Sequence, residues 1–325
     1  MRPVARAGRW AWVLCGLATA AALAVAGTGL IISAGVRQAP ARALARQAPR
    51  QMVARILTRT ETVRQPVTSL NVQGYAPGLI QVTTAPVTHV QITEMLIWST
   101  SPPAVAQSVS GGRLSLSDPA CANDSCSVSF VVKVPPGVTV TAVGGPLFIS
   151  GTSGANLNSE GAPVNVTDIH GPLTVSTHGG PLQINGLSGP LRADTGGGQV
   201  VAGRVSAATA VVTTGGGPVQ IAFSAAPTSV TVSTGGGLAE LSVPGGPYAL
   251  TTNSDGAAQT IGIATSSAAH RSITMTTGGG PLIIGSGKIP GFNLLPSSPR
   301  GNHRAATVTP FRGPPGLFYA LHPAG

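Results

Sequence analysis

One motif recurs along this chain and limits what it can fold into. "VSTHGGPLQI" (175–184), "VVTTGGGPVQI" (211–221), "VSTGGGLAEL" (232–241) and "MTTGGGPLII" (275–284) share a Thr-x-Gly-Gly element with almost no charge. The marker threonines Thr177, Thr195, Thr214 and Thr234 are 18, 19 and 20 residues apart, and Thr277 follows 43 later, close to two further turns. Half-repeats show as well: "GPL" (171–173), "GGPL" (179–182) and "SGPL" (188–191) recur every nine residues or so. A period near nineteen, split into halves, predicts an all-β architecture, a β-solenoid with two strands per coil over 151–286.

Alternation within each half supports strands, because successive side chains on a strand point to opposite faces. In "ITMTT" (273–277), Ile273 and Met275 share one face, while Thr274 and Thr276 share the other. The equivalent inward pairs are Leu173/Val175, Leu191/Ala193, Ala210/Val212 and Val230/Val232. After each glycine turn a second set follows: Leu182/Ile184, Val200/Ala202, Val219/Ile221, Ala239/Leu241 and Leu282/Ile284. Glycine suits the corners because positive φ is open to it without steric cost. The proline that follows presets φ and fits a strand's first residue.

Energetics explain the repetition. Each buried apolar side chain contributes about 1.5–3 kcal/mol, while ordering a residue costs about 1–2 kcal/mol in backbone entropy. With only a few inward side chains, a lone coil loses that contest. Stacked coils cover one another's apolar faces, and stability becomes a nearest-neighbour sum.

Composition agrees. Only 9% of the 325 residues are charged and 44 are glycine, a poor recipe for amphipathic helices and a good one for short strands between glycine turns. The net charge of +10 is unevenly spread. Residues 1–64 carry ten arginines against Glu61, whereas 65–286 carry five basic residues against eight acids. The repeats therefore lack the basic stripe with interleaved aromatics expected of a nucleic-acid reader.

From Trp10 to Val36 the chain has no charged residue. About 20 apolar residues cross a bilayer core of about 30 Å, so residues 10–36 are expected to form one N-terminal transmembrane helix. Arg2, Arg6 and Arg9 precede it within a short cytoplasmic N-terminus (1–9), and Trp10 and Trp12 sit where interfacial aromatics belong. A cleaved signal peptide is the rival reading. Arg37, Arg42 and Arg46 flank the far side as densely, so charge alone does not orient the helix.

Cys121 and Cys126 lie in the turn-rich "DPACANDSCSVSF". No histidine or third cysteine is close by, which leaves a zinc site poorly supported. A disulfide closing a hairpin is expected, with two separate thiols as the alternative, and disulfides persist outside the cytoplasm. The bulk of the chain is then an ectodomain facing outward from the cell membrane. Residues 37–65 form an Arg-rich stalk, or a basic collar against anionic headgroups or envelope polyanions. Residues 66–150 form an irregular β part opening the stack, and 287–325 form a disordered Pro/Gly-rich tail.

The order of "VTSLNV" (67–72), Trp98 with Pro102 and Pro103, "GGRLSLS" (111–117), Cys121 and Cys126, "VPPGVTV" (134–140) and the glycine-turn strands resembles the bacterial putative-adhesin domain of unknown function, in its actinobacterial, membrane-anchored form. The resemblance covers about 58–286. The family's usual "SGD-V" turn stands here as "GGP-L" or "GGG-P-V", so its turn acid is missing. The resemblance implies a β-solenoid or β-roll at the cell surface, and brings no catalytic residues with it.

No catalytic set is expected. Asp194 and Glu240 fall near repeat strands, more than two coils apart at about 4.8 Å per coil, beyond the carboxylate separations of glycoside hydrolysis. His170 and His178, with Asp168 before them, offer a conceivable metal site, but the two loop histidines are read as solvated on an exposed corner, and no metal or cofactor is expected. The "GGG" clusters lack the Gly-Lys-Ser/Thr and the helix of a phosphate loop. The outward face offers Thr174, Ser176, Thr213, Thr231, Ser233, Thr274 and Thr276. Such a column of hydroxyls suits ordered surfaces such as glycans, although threonine also simply favours exposed strands. Two roles follow as expectations: a binding module for cell-surface glycans or envelope polyanions, and a scaffold that polymerises through open strand edges.

Overall fold

Buried and exposed side chains alternate along most strands of the computed structural model, which describes residues 54–75, 77–118 and 126–287. Every regular element among them is a strand. The first seven are β1 (Arg55–Val63), β2 (Ser69–Gly74), β3 (Ile80–Thr84), β4 (Val90–Trp98), β5 (Ala106–Ser110), β6 (Arg113–Asp118) and β7 (Cys126–Val134). Short strands then follow in pairs: β8 (Thr139–Gly144) and β9 (Leu147–Ser150), β10 (Ala155–Ser159) and β11 (Val164–Ile169), β12 (Leu173–Ser176) and β13 (Leu182–Leu187), β14 (Leu191–Asp194) and β15 (Val200–Val205). The series continues with β16 (Thr209–Thr214) and β17 (Val219–Phe223), β18 (Ser229–Thr234) and β19 (Ala239–Ser242), β20 (Ala249–Asn253) and β21 (Gln259–Gly262), and β22 (Ser272–Thr277) and β23 (Leu282–Gly285).

The two members of each pair belong to different sheets. Sheet A has 12 strands in the order β1-β4-β7-β3-β9-β11-β13-β15-β17-β19-β23-β21, and sheet B has 11 in the order β20-β22-β18-β16-β14-β12-β10-β8-β2-β6-β5. From β8 to β19 each strand pairs in parallel with the next strand but one, so one strand from each sheet makes a rung. Inward side chains meet between the sheets in one continuous core that runs from Val63 to Ile284. The inward pairs read from the sequence are all buried there, Val212 and Ile221 completely.

The marker threonines build the corner between sheet B and sheet A. Thr177, Thr195, Thr214, Thr234 and Thr277 are buried, and each hydroxyl donates to the carbonyl three residues on, at 2.5–2.8 Å. Ser159 and Ser254 do the same to Ala162 and Ala257. A buried carbonyl needs such a partner, and the hydroxyl supplies it within the turn.

The corner glycines serve two purposes. Gly179 has φ +118, as the sequence reading expected. The last glycine of each cluster is there for a different reason: a Cβ on Gly198 or Gly217 would stand 2.0 or 2.3 Å from a carbonyl oxygen of the preceding rung. Close stacking, not φ, excludes a side chain there. Pro181 and Pro218 still join the ladder as acceptors, taking the amides of Val164 and Val200 at 2.9 Å.

Both ends depart from sequential stacking. Thr277 lies 43 residues after Thr234, an interval that predicts two further turns, yet the two are register partners on adjacent strands. β22 and β23 lie directly against β18 and β19, and the earlier β20 and β21 lie outside them. Tyr248 ties the crossing: it is fully buried, its hydroxyl donates to the Pro244 carbonyl at 2.7 Å, and its backbone bonds Ala264 and Ser266. At the other end β2 and β3 sit between β6/β7 and β8/β9. Residues 66–150 are thus not only an irregular opening part, since six of their strands form parallel rungs. β4 and β5 pair antiparallel on β7 and β6, and β1 pairs antiparallel on β4. Arg55–Val63, read as the end of the stalk, is β1.

Candidate binding surface

Period two places the polar positions of sheet B on its outer face, and parallel register lines them up. One column runs Asn156, Thr174, Arg192, Val211, Thr231, Thr274, Thr251. Its neighbour runs Asn158, Ser176, Asp194, Thr213, Ser233, Thr276, Asn253. All seven predicted face residues stand in these columns. Thr174 and Thr213 are exposed, and Ser176, Thr231, Ser233, Thr274 and Thr276 are half-buried.

The face is not uniform. Thr213, Thr231, Ser233, Thr274 and Thr276 form a contiguous hydroxyl patch over β16, β18 and β22. Arg192 and Asp194 on β14 separate it from Thr174 and Ser176, and Val211 interrupts the first column at 38% exposure. The sequence reading missed Asn156, Asn158, Thr251 and Asn253, which extend the columns at either end. The alternation of "ANLNS" (155–159) carried that signal.

Sheet A presents a different surface, also missed. Its outer column runs Gln81, Phe148, Asn165, Gln183, Val201, Gln220, Glu240. Phe148 is exposed between two amides, and Gln220 Nε2 donates to Glu240 Oε2 at 3.0 Å. Because Asp194 lies on sheet B and Glu240 on sheet A, the two carboxylates face away from each other across the core.

At the end of the sheet A strands, Arg204 bridges two rungs. Its Nη2 donates to Asp168 Oδ1 at 2.9 Å, and its Nε donates to Asn185 Oδ1 at 2.7 Å. Gly186 lies between the partners, where a Cβ would meet Asp168 Oδ1 at 2.3 Å. A depression of about 200 Å³ is lined there by Ile169, His170, Ser188 and Ser206 as well. His170 is exposed on this corner, whereas His178 occupies the opposite one, between β12 and β13. Among the described residues no three His, Cys, Asp or Glu side chains gather as metal ligands.

No family model matches the chain. No curated protein matches it either. It is similar in part to solved structures. A putative adhesin from Bacteroides fragilis is 14% identical, over 71% of this chain and 97% of the other, with a TM-score of 0.37. A putative adhesin from Parabacteroides merdae is 15% identical, over 70% and 95%, with a TM-score of 0.44. A putative cell adhesion protein from Clostridium sporogenes is 11% identical, over 72% and 100%, with a TM-score of 0.22.

Cys126 opens β7 opposite Trp98, and Cys121 lies outside the described residues. Residues 10–36 lie outside them too; among those described, no helix is long and apolar enough to cross a membrane.

Proposed function

We propose that this chain is a non-enzymatic, adhesin-like surface protein whose two-sheet stack is a β-solenoid and whose sheet B face binds extended cell-surface glycans. The observation that supports it best is the contiguous register of Thr213, Thr231, Ser233, Thr274 and Thr276. Hydroxyls repeated at the rung spacing of about 4.8 Å match a polymer with its own regular donors and acceptors. A glycan array probed with wild type and with a Thr231→Lys/Thr274→Lys variant tests the reading. Selective loss of one glycan class is expected, and identical profiles would end the proposal.

The solenoid reading makes its own demand. Removing Gly196–Thr214 deletes one rung and joins Thr195 to Gly215 in phase. Because stability is shared between neighbours, the shortened protein folds with a lower denaturation midpoint. An unfolded product would refute it. Anchoring by residues 10–36, with the ectodomain outside, is tested by protease shaving of intact cells. A Cys121–Cys126 disulfide is tested by peptide mapping with and without reductant. Arg37, Arg42 and Arg46 beside the anchor would hold envelope polyanions, with binding that weakens as salt rises.

A scaffold role is the second reading. It is favoured by the outer edges of β20 and β21, which pair with no strand among the described residues. Concentration-dependent light scattering of the full chain separates the two.

A further inference from the structure

Sheet A has 12 strands and sheet B has 11. Counting rungs from β20 and β21 matches every strand until β5 meets β4, which leaves β1 without a counterpart in sheet B. Its side chains show the consequence. Ile92, Glu94 and Leu96 of β4 are buried, whereas Leu57, the register partner of Leu96, is 45% exposed. On the other face of β1, Ile56 is 66% exposed and pairs with the half-buried Ile97, two residues along β4 from Met95 at 41%. Three of the seven exposed large hydrophobic side chains among the described residues thus gather on one pair of strands. Scattered singly they would need no account; gathered, they mark an interaction surface.

The charge around this patch is cationic. Arg59 pairs with the buried Glu94, and Glu61 Oε1 accepts from Gln107 Nε2 at 2.8 Å, so both carboxylates of the two strands are engaged. Arg55 and Arg64 bracket β1, and the sequence leading into it adds Arg37, Arg42, Arg46 and Arg50 without an acid. A second copy pairing antiparallel about the middle of β1 would set Arg59 against its own image. Like charges directly opposite disfavour such a pair, and charge on an edge strand guards against it. An anionic phospholipid surface suits both chemistries, because interfacial binding grows with buried apolar area and with attraction between arginines and lipid phosphates.

We infer that the β1 and β4 end of the stack rests on an anionic phospholipid surface. Ile56, Leu57 and Met95 enter the headgroup boundary, and Arg55 and Arg64 meet lipid phosphates. The rungs then rise from the bilayer at about 4.8 Å each, which holds the hydroxyl patch of β16, β18 and β22 well away from it. The inference stands on the described face of β1 and β4 and needs neither an anchor at 10–36 nor the glycan reading.

Hydrogen exchange on the full chain with vesicles tests it. Amides of β1 should exchange about tenfold more slowly on phosphatidylglycerol vesicles than on phosphatidylcholine vesicles, with β16 and β18 unchanged. Salt should shrink that difference. Ile56→Asp/Met95→Asp, both at exposed positions, should abolish it and leave exchange in β14 to β18 as in wild type. Equal exchange of β1 on the two vesicles, or protection that the double variant keeps, would overturn the proposal. So would protection of β1 that needs no vesicles and rises with protein concentration, which would assign the edge to a second copy. Retention on vesicles after an alkaline wash reads the anchor separately, so the two readings fail independently.

Discussion

Thr234 and Thr277 are direct register partners although 43 residues separate them, and each hydroxyl caps the carbonyl of its own corner glycine, Gly237 or Gly280. The corner is therefore a column of buried hydroxyl-to-carbonyl bonds that continues through the skipped rung. A chain that left one link open would bury an unsatisfied carbonyl.

Thr195→Val tests that column. The shape is kept and the donor to Gly198 O, 2.6 Å away, is lost. Leaving a buried acceptor without its partner costs about 1–3 kcal/mol. Urea denaturation should show that loss, whereas Thr213→Val on the exposed face should shift the midpoint little.

Neighbouring glycines of one cluster separate a crowded position from an open one. Gly217→Ala brings a Cβ to 2.3 Å from Gly198 O, while a Cβ on Gly216 meets nothing within 4 Å. The first substitution should destabilise by about 1–3 kcal/mol, the range for overpacking, and the second should stay within about 0.5 kcal/mol of wild type. Parallel thermal melts compare them.

Val212→Asp places a carboxylate where the side chain is 0% exposed. Burying an unpaired charge is among the most damaging single changes, and rungs share their stability, so β14 to β19 should lose exchange protection together. Thr213→Ala should leave that protection intact.

Tyr248 sets an alkaline limit. Burial raises its phenol above the ordinary value of 10.0, against a smaller opposing pull from Arg271. The unfolded phenol ionises first, so stability is full below pH 10.0 and falls as pH rises towards the folded value. Tyr248→Phe should weaken the fold at neutral pH by losing the bond to Pro244 O, and should flatten the decline above pH 10.0. Denaturation midpoints across alkaline pH measure both effects.

The ion pair of Arg204 and Asp168 is half-exposed at both ends. A double-mutant cycle should give a coupling of about 0.2–1 kcal/mol, reduced by salt. A coupling well above that range would mean that Asn185 shares in a tighter network.

Strand identity, strand length and the inward face were written locally. Ile273, Met275, Val230 and Val232 alternate with hydroxyl residues, and period two needs no partner to be read. The Thr-x-Gly-Gly spacing likewise marked five corners from sheet B to sheet A, though not that its threonine turns inward. What the linear order could not carry was the neighbour of each strand. The swap that puts β22 beside β18, and β6 beside β2, joins strands that are not successive in the chain. The opposed placement of Asp194 and Glu240, the exposed Phe148 between amides, and the edge at Ile261, beyond which no strand pairs among the described residues, exist only after the two sheets close on one core. Sequence determined the faces, because side-chain direction follows from the strand itself; tertiary structure decided adjacency, because hydrogen-bonded edges and shared burial are properties of pairs of strands distant along the chain.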